Sequence, residues 1–364
     1  MLNVQKYLLN HTLEDLENEF GIVITYYNDR VVLNYSQIDS PKFHPICDEC
    51  RGLILSYPDY KVLCRSFDRF YNLGENGYFN EYEFDITRAY SEVKVDGSLI
   101  NIYHDRNNWC AATRKRAFAE GETNKGNTFK DVVNRALGYP VEEIDFGGFH
   151  DLTLICEVVS PETRVVVPYK EYRIYLLAAR FRNTGRYISR PDLEWIAYEL
   201  GMATVACYDF KSFDDVIKAC KELKPMAEDG EGYVCFDEYT HNRVKIKNPG
   251  YLAIAHLRNN GAISNKRIAV LVFNNDYDEY LNYFPEDKEF FDPYILAYHN
   301  MIKDIYDYWN LYGDINSQKE FALTIKDFII APILFSIRKG LTMEEIFDNM
   351  TDKKKEELLV KYKN

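Results

Sequence analysis

The sequence lacks a hydrophobic run long enough to cross a membrane. Its charge-free stretch near the C-terminus, Phe328 to Ile337, has ten residues and contains Pro332, whereas a membrane span needs about 20 apolar residues. The N-terminus, MLNVQKYLLN, also lacks the basic region, long apolar region and small-residue cleavage site of a secretory leader. These absences exclude a membrane-spanning chain and give no support for secretion, so we expect a protein of the cytosol without a membrane partner.

Positive charge is scarce as well. The chain has 44 Lys and Arg against 57 Asp and Glu, a net charge of −13. Because affinity for a polyanion comes from neutralising phosphates, this charge argues against non-specific nucleic-acid binding over the whole surface but leaves room for a local basic groove. The eight cysteines are scattered, several of them inside apolar runs, and they do not form the pattern of a disulfide framework.

What the sequence does contain is ordinary globular composition, with 46% hydrophobic and 28% charged residues, and a length of 364 residues that suits two domains. The first 250 residues alternate β-branched and aromatic runs with turn signals, and we predict helices at Phe129–Leu137, Pro191–Leu200 and Ser212–Leu223. After about Tyr251 the pattern takes a helical period. We therefore predict an α+β domain with mainly antiparallel sheets over 1–255, followed by an all-helical domain over 256–364.

One short motif carries most of the chemical information. Lys94-Val95-Asp96-Gly97-Ser98 lies between two strand-like segments, which would place the lysine at the point where a sheet enters a tight turn. Alone, K-x-D-G occurs by chance in roughly one chain in ten of this length, and a surface turn would explain it. Its ordered company makes it specific: Glu49-Cys50-Arg51-Gly52, Glu157 within LTLICEVV, Glu231-Gly232-Tyr233-Val234 and Lys245-Ile246-Lys247.

In this order the motifs resemble the covalent nucleotidyltransferase superfamily of polynucleotide ligases and capping enzymes. The segments ECRG, FYNLGE, EVVSPETRVVVPY, EGYV and KIKNPGY look most like phage ATP-dependent RNA ligases that repair broken tRNA, over roughly residues 30 to 255. The resemblance implies that Lys94 attacks the α-phosphate of ATP, that AMP moves to a 5′-phosphate of RNA, and that a 3′-hydroxyl then displaces AMP. It further implies Mg²⁺ or Mn²⁺, a partner that is nicked tRNA or single-stranded RNA, a monomer and, for a phage gene, the host cytosol.

The resemblance also assigns residues. Catalytic roles fall to Lys94, Glu157, Lys245, Lys247 and Tyr251. Nucleotide binding falls to Tyr35, Arg51, Arg69, Lys94, Gly97, Arg114, Glu157, Glu231, Lys245 and Lys247, and metal binding to Glu231 and Glu157. Two positions depart from the family pattern, because Arg69 stands where the phage ligases have lysine and because Arg114 is followed by two further cations, Lys115 and Arg116. We carry over Arg69 and Arg114 and expect Lys115 and Arg116 to contact RNA, with a solvated basic turn as the alternative.

Elementary chemistry supports the same residues. A lysine of reference pKa about 10.4 is neutral only about once in 2,500 molecules at pH 7, a cost of roughly 4.6 kcal/mol. Cationic neighbours, namely Arg51, Lys245, Lys247 and a divalent metal, would lower the pKa of Lys94 and would stabilise charge on the phosphoryl oxygens. Strand alternation in K-I-K places both lysines on one face and Ile246 in the core. An edge strand with solvated lysines would explain K-I-K equally well in isolation.

The two carboxylates differ in setting. Mg²⁺ prefers oxygen ligands and keeps several waters, and Glu231, where an acidic turn enters a strand, is the first candidate ligand. A simple turn carboxylate is the alternative. Glu157 lies in an otherwise apolar strand, where an isolated carboxylate is costly to bury, so we expect it to have a partner. Tyr251 could equally be a core aromatic residue at a helix start.

Other interpretations stay open at this point. His44, Cys47 and Cys50, with Cys64 nearby, could supply four zinc ligands, although no second C-x-x-C exists. A capping guanylyltransferase or a DNA ligase would share the lysine chemistry, but both usually continue into a β-rich barrel where this chain has about 110 residues of helical pattern. A non-catalytic tRNA-binding protein would not need the complete motif set. The basic run Lys353–Lys355 predicts a solvated helix end or an RNA contact.

Overall fold

The chain folds into two compact units, Met1–Ala255 and His256–Asn364. The structure is a computed structural model that describes residues 1–75, 84–123, 125–145, 147–257 and 263–363. Within those residues the first unit contains strands and helices, and the second contains helices and turns. No helix among them is both long and apolar enough to cross a membrane.

The first unit is a mixed α+β structure. Its strands are β1 (Ile22–Tyr26), β2 (Arg30–Tyr35), β3 (Arg51–Ser56), β4 (Val62–Cys64), β5 (Tyr71–Asn72), β6 (Ala89–Val93), β7 (Ser98–Asp105), β8 (Asn108–Ala112), β9 (Leu152–Val159), β10 (Arg173–Phe181), β11 (Cys207–Tyr208), β12 (Gly232–Asp237) and β13 (Arg243–Lys247). Its helices are α1 (Asn3–Tyr7), α2 (Leu13–Phe20), α3 (Pro45–Glu49), α4 (Phe129–Leu137), α5 (Arg190–Glu199) and α6 (Phe213–Glu222), and α7 (Pro249–Leu257) begins in this unit.

The described strands form three sheets, with the orders β1-β2-β3-β4, β10-β9-β7-β8 and β11-β6-β12-β13-β5. Neighbouring strands are antiparallel except for β13 and β5, which are parallel. The prediction of mainly antiparallel sheets is thereby confirmed.

Strand β9 separates two environments. Leu152, Leu154, Cys156 and Val158 lie on one face, within a buried cluster that also contains residues of α4 and α5. The alternate residues, including Ile155 and Glu157, therefore point to the opposite face. This alternation is what turns Glu157 away from the helix-packed core.

The third sheet has the same two-sided construction. Tyr233, Cys235 and Ile246 pack in a cluster with Val216 and Cys220 of α6. The residues between them on β12 and β13 point away from α6, so the alternation of K-I-K buries Ile246 and leaves the two lysines on the other face.

The three helices predicted in the first unit are present. Helix α4 has the predicted bounds, and a capping box between Thr128 and Asp131 fixes its start. The other two, α5 and α6, begin after Ser189 and Ser212, whose side chains each accept a hydrogen bond from a backbone N–H of the first turn. Thus local capping chemistry sets these boundaries, and the predicted ends are within one residue of those observed.

The second unit contains the helices α8 (Asn265–Phe273), α9 (Tyr277–Tyr283), α10 (Lys288–Tyr312), α11 (Gln318–Ile325), α12 (Ala331–Arg338), α13 (Met343–Asp348) and α14 (Asp352–Lys363). Helix α10 packs against α8 and α14. The buried residues of these three helices include Leu271 of α8, Phe291, Tyr294, Met301 and Ile305 of α10, and Leu359 of α14.

Two stretches with helical periodicity are broken into pairs of helices. Pro332 lies in the first turn of α12, where its missing N–H is harmless, and separates α12 from α11.

In the basic run, Lys353 and Lys354 are exposed, whereas Lys355 is buried, with Nζ 3.4 Å from Asn274 Oδ1. The prediction of a solvated helix end is therefore correct for Lys353 and Lys354 only.

Candidate active site

Lys94 lies at the end of β6, where its backbone N–H donates a hydrogen bond to the Gly232 carbonyl oxygen at 2.9 Å. Its Nζ is 2.7 Å from Glu231 Oε1, and 23% of the side chain is exposed. Burial favours the neutral amine, but Glu231 and then Glu157 outweigh it and raise the pKa of Lys94 above its ordinary value. The cationic side chains that we expected to lower this pKa do not do so by themselves, because the two carboxylates are the stronger influence.

Lys94 opens onto a cavity of about 210 Å³. Seven of the predicted residues line it: Tyr35, Arg51, Lys94, Arg114, Glu157, Lys245 and Lys247. Apolar side chains, among them Leu99, Leu177 and Val234, form other parts of the wall. A small cavity with both apolar walls and several cationic side chains fits a nucleoside that carries phosphates.

Glu231 bonds two lysines with one oxygen. Its Oε1 is 2.7 Å from Lys94 Nζ and 2.9 Å from Lys247 Nζ, and the side chain is almost fully buried. Burial acts to raise the pKa of Glu231, but the two ammonium groups outweigh burial and hold that pKa below its usual value. Glu231 is thus an ionised carboxylate next to the nucleophile candidate.

Lys245 is the cation whose pKa is strongly lowered. Burial, together with Arg51, Lys94 and Lys247, lowers the pKa of Lys245 to about 7. Its ammonium group also lies 5.1 Å from the centre of the Phe70 ring. An anion beside Lys245 would favour its charged form, so the site is prepared for phosphate.

Glu157 lines the same cavity from the opposite sheet. Burial raises its pKa to about 7, Lys94 opposes the rise, and Glu231 adds to it. Lys94 and Arg51 are thus the charges that favour ionised Glu157, and Glu231 opposes them.

Asp96, the acidic residue of the lysine motif, has a structural role that the sequence analysis missed. It is 3% exposed. Its Oδ2 accepts hydrogen bonds from the backbone N–H groups of Val166 and Val167 at 2.8 and 2.7 Å, and its Oδ1 accepts one from Tyr251 Oη at 2.7 Å. Tyr251 thus contacts Asp96, and these three bonds connect segments that lie far apart in the sequence.

Gly97 does not line the cavity in the described structure, although it was predicted to bind nucleotide. A Cβ atom at this position would lie 2.5 Å from the Val158 carbonyl oxygen and 2.9 Å from Glu157 Cγ. Glycine is needed because the backbone of the turn after Lys94 lies so close to β9 that a side chain would not fit. Its contribution is the close approach of the motif's turn to β9.

The guanidinium groups of Arg69 and Arg114 both lie close to the Tyr35 ring. The guanidinium carbons of Arg69 and Arg114 lie 4.1 and 5.1 Å from the centre of the Tyr35 ring. Arg114 lines the cavity beside Lys94, whereas Arg69 lines a neighbouring cavity. Lys115 and Arg116 are exposed in the turn that follows β8, so the predicted RNA contacts are accessible.

Arg51 brings a buried cation with spare hydrogen-bonding capacity. Its Nη1 atom has no hydrogen-bond partner within the described part of the chain, and its guanidinium lies 5.1 Å from the Phe70 ring centre. A buried donor without a partner is costly. A phosphate oxygen in the cavity would satisfy it.

The zinc alternative does not match the positions of its residues. Cys47 and Cys50 lie in the core beneath the first sheet, and Cys64 belongs to a different buried cluster. In the described ranges no three His, Cys, Asp or Glu side chains are grouped so that they could hold a metal ion. All eight cysteines are free thiols.

The sequence analysis also missed Arg243. It stands two residues before Lys245 on β13 and lines the same cavity. The alternation that was applied to K-I-K would have identified it if extended by one step to R-V-K-I-K.

Comparison with known proteins identifies the family. A family model described as RNA ligase matches residues 49–251. Because this match covers more than half of the chain, the chain belongs to the RNA ligase family, and the family expected from the motifs is confirmed. The matched range contains every predicted site residue except Tyr35.

Two sequence relatives are named as RNA ligases. A protein of Autographa californica nuclear polyhedrosis virus, named as a bifunctional polynucleotide kinase/RNA ligase, is 33% identical over 82% of this chain and 44% of its own length. The chain thus spans less than half of that relative. The RNA ligase of Rhodothermus phage RM378 is 25% identical over 77% of this chain and 78% of the phage protein. Among solved structures, an archaeal ATP-dependent RNA ligase is 15% identical with a TM-score of 0.44, covering 89% of this chain and 77% of its own.

Proposed function

We propose that this chain is an ATP-dependent RNA ligase that joins a 5′-phosphate to a 3′-hydroxyl through a lysyl-AMP and an RNA-adenylate. The observation that carries the proposal is the position of Lys94 at a cavity lined by Arg51, Arg114, Lys245 and Lys247. Membership of the RNA ligase family supports the choice of RNA as substrate. The capping and DNA-joining alternatives share the lysine but not this family match.

In the first step the neutral amine of Lys94 forms a bond to the α-phosphorus of ATP, and the bond to the leaving pyrophosphate breaks. The amine must first lose a proton, which the ion pair with Glu231 opposes. A change that draws Glu231 away from Lys94 would therefore activate the nucleophile. Lys245, Lys247 and Arg51 would stabilise the negative charge on the phosphoryl oxygens.

Glu231 and Glu157 would hold a divalent cation. The two carboxylates interact electrostatically, because Glu231 raises the pKa of Glu157 and both of them raise the pKa of Lys94. Mg²⁺ typically binds through one or two carboxylates plus substrate phosphates and water, so the donor set fits Mg²⁺ or Mn²⁺. When bound, such an ion would neutralise charge on the phosphates.

The remaining steps transfer AMP and then release it. An oxygen of the RNA 5′-phosphate would attack the phosphorus of lysyl-AMP, which returns the Lys94 amine and gives RNA-adenylate. The 3′-hydroxyl would then attack the 5′-phosphorus, forming the phosphodiester bond as AMP leaves and a proton is lost. The cations of the cavity serve these steps as they serve the first.

We assign AMP transfer to residues 1–255 and recognition of the RNA, in particular nicked tRNA, to residues 256–364. The motif set ends at Tyr251, and the following residues carry no motif of this chemistry. We also propose a monomer that acts in the cytosol of an infected cell, a setting that agrees with relatives from a virus and a phage.

The direct test is incubation with α-labelled ATP or α-labelled GTP and Mg²⁺, followed by a denaturing gel. Label retained from ATP and not from GTP supports the ligase. Label from GTP would indicate capping, and no label from either would leave a binding protein.

A further inference from the structure

Three cations, and not two, follow one face of β13. Arg243, Lys245 and Lys247 alternate with Val244 and Ile246, and all three cations line the nucleotide cavity. At about 3.3 Å per residue the row from Lys247 to Arg243 spans roughly 13 Å. Lys247 is at the end next to Lys94 through their shared carboxylate, so Arg243 is at the far end.

Aromatic rings fix the guanidinium of Arg243 in place. Its Cζ lies 3.8 Å from the ring centre of Phe236 and 4.4 Å from those of Phe67 and Tyr187. Its conformation is therefore set before any ligand arrives, which reduces the entropy lost on binding.

Arg243 makes no direct ion pair with a carboxylate within the described residues, and its Nε has no hydrogen-bond partner. Glu92, a carboxylate of the same cavity wall, forms its direct ion pair with Arg190 at 2.9 Å and feels the charge of Arg243 only through space. A held cation without a carboxylate partner is suited to an anion from outside the protein.

Arg243 also connects the nucleotide cavity to its neighbour. It lines both that cavity and an adjoining cavity of about 290 Å³, which includes Tyr71 and Tyr187 in its wall. One carboxylate of the adjoining cavity, Asp68, is already bound by Arg180 through two hydrogen bonds of 3.0 and 2.8 Å. The second cavity thus offers aromatic surface next to the guanidinium.

Resting on the proposed function, we infer that Arg243 binds a phosphate group of the RNA strand beside the end being joined. A phosphate could in principle come from ATP or from RNA, but the cation row is longer than a triphosphate that starts at Lys94. A planar guanidinium suits a phosphate oxygen pair, and the neighbouring rings suit stacking of an unpaired base. Arg243 therefore extends the site from the nucleotide toward the polynucleotide.

The test compares Arg243→Met and Arg243→Gln with the conservative Arg243→Lys. Arg186→Met is the matched control, because Arg186 is exposed and its guanidinium lies 5.3 Å from the Phe181 ring centre, outside both cavities. Two reactions are measured for each protein: self-adenylation against ATP concentration, and sealing of a pre-adenylated single-stranded RNA against RNA concentration. RNA affinity is also measured over a range of salt concentrations.

For Arg243→Met and Arg243→Gln we expect kcat/KM for sealing to fall about tenfold more than kcat/KM for self-adenylation, as loss of one charged hydrogen bond predicts. The slope of log affinity against log salt should become shallower by about 0.7, the value for one phosphate on a single strand. Arg243→Lys should restore the slope, which a purely structural role of the ring contacts would not require.

An equal loss in both reactions, or an unchanged salt slope in either neutral variant, would overturn the inference. A larger loss in self-adenylation would assign the phosphate to ATP and would also overturn it. If the unsubstituted protein and Arg186→Met neither label with ATP nor seal RNA, the proposed function itself has failed, so the two failures are distinct.

Discussion

Lys94 Nζ and Glu231 Oε1 form an ion pair of 2.7 Å. The pair keeps the lysine protonated and the carboxylate ionised, as the raised pKa of Lys94 and the lowered pKa of Glu231 indicate. A protonated amine is not a nucleophile. The proposed attack of Lys94 on ATP therefore requires that this proton be lost first.

Replacement of this carboxylate should change the titration of Lys94. Glu231→Gln removes the main attraction that raises the pKa of Lys94, while burial and the neighbouring cations remain, so that pKa should fall. The measurement is the pH dependence of Lys94 modification by an amine-reactive reagent, followed by mass spectrometry. Glu228→Gln is the matched control, because Glu228 is exposed on the same loop and pairs with Arg173. An unchanged titration in Glu231→Gln would show that the ion pair does not control Lys94.

Lys245 should make folding stability depend on pH. Its pKa is about 7 in the folded chain and about 10.4 when unfolded, so between these values the unfolded state binds more protons and stability rises with pH. Lys245→Met removes this dependence and should raise the free energy of unfolding by up to a few kcal/mol below pH 7, with a smaller gain as pH approaches 10. Denaturant unfolding of both proteins at pH 6.5, 8 and 9.5 measures the difference. A difference that is constant with pH would contradict the lowered pKa.

The nucleophile should be dispensable once AMP is on the RNA. Lys94→Ala should still seal pre-adenylated RNA, because the bond to be broken already carries AMP as its leaving group. Sealing is measured by conversion of labelled pre-adenylated RNA to a longer or circular product. Complete loss of sealing by a folded Lys94→Ala protein would reveal a further role for this lysine.

Removal of the helical unit should separate catalysis from substrate choice. Truncation after Leu257 keeps α7 whole and should leave self-adenylation largely intact. It should weaken sealing of a nicked tRNA loop more than sealing of short single-stranded RNA, because only a large substrate can use binding energy from a remote unit. Equal relative efficiency on both RNAs with a soluble, folded truncation would contradict the assignment of RNA recognition to residues 256–364.

Short-range patterns predicted much of this structure. Strand alternation placed Ile246 in the core and Lys245 and Lys247 at the cavity, and Ser212 marked the start of α6. The same alternation turned Glu157 toward the cavity, because its neighbours Cys156 and Val158 pack on the helices. These features depend on residues that are close in sequence.

Features that depend on distant residues could not be predicted in this way. The hydrogen bonds from Val166, Val167 and Tyr251 to Asp96 join parts of the chain that are 70 or more residues apart. The pKa of Lys94 depends on whether carboxylates or cations lie closer to its ammonium group in the folded chain. The K-x-D-G motif alone does not reveal these distances. Gly97 was assigned to the nucleotide by resemblance, whereas its position is explained by the approach of β9.

The central claim is that Lys94 carries AMP, and its most direct test is mass spectrometry of the protein after incubation with ATP and Mg²⁺. The account predicts one AMP on the peptide that contains Lys94. It also predicts none on Lys94→Ala or Lys94→Arg, since a guanidinium is not deprotonated in proteins. Lys218→Ala, which alters an exposed lysine of α6, should be labelled like the unsubstituted protein. AMP found on another residue, or retained by Lys94→Arg, would contradict the account.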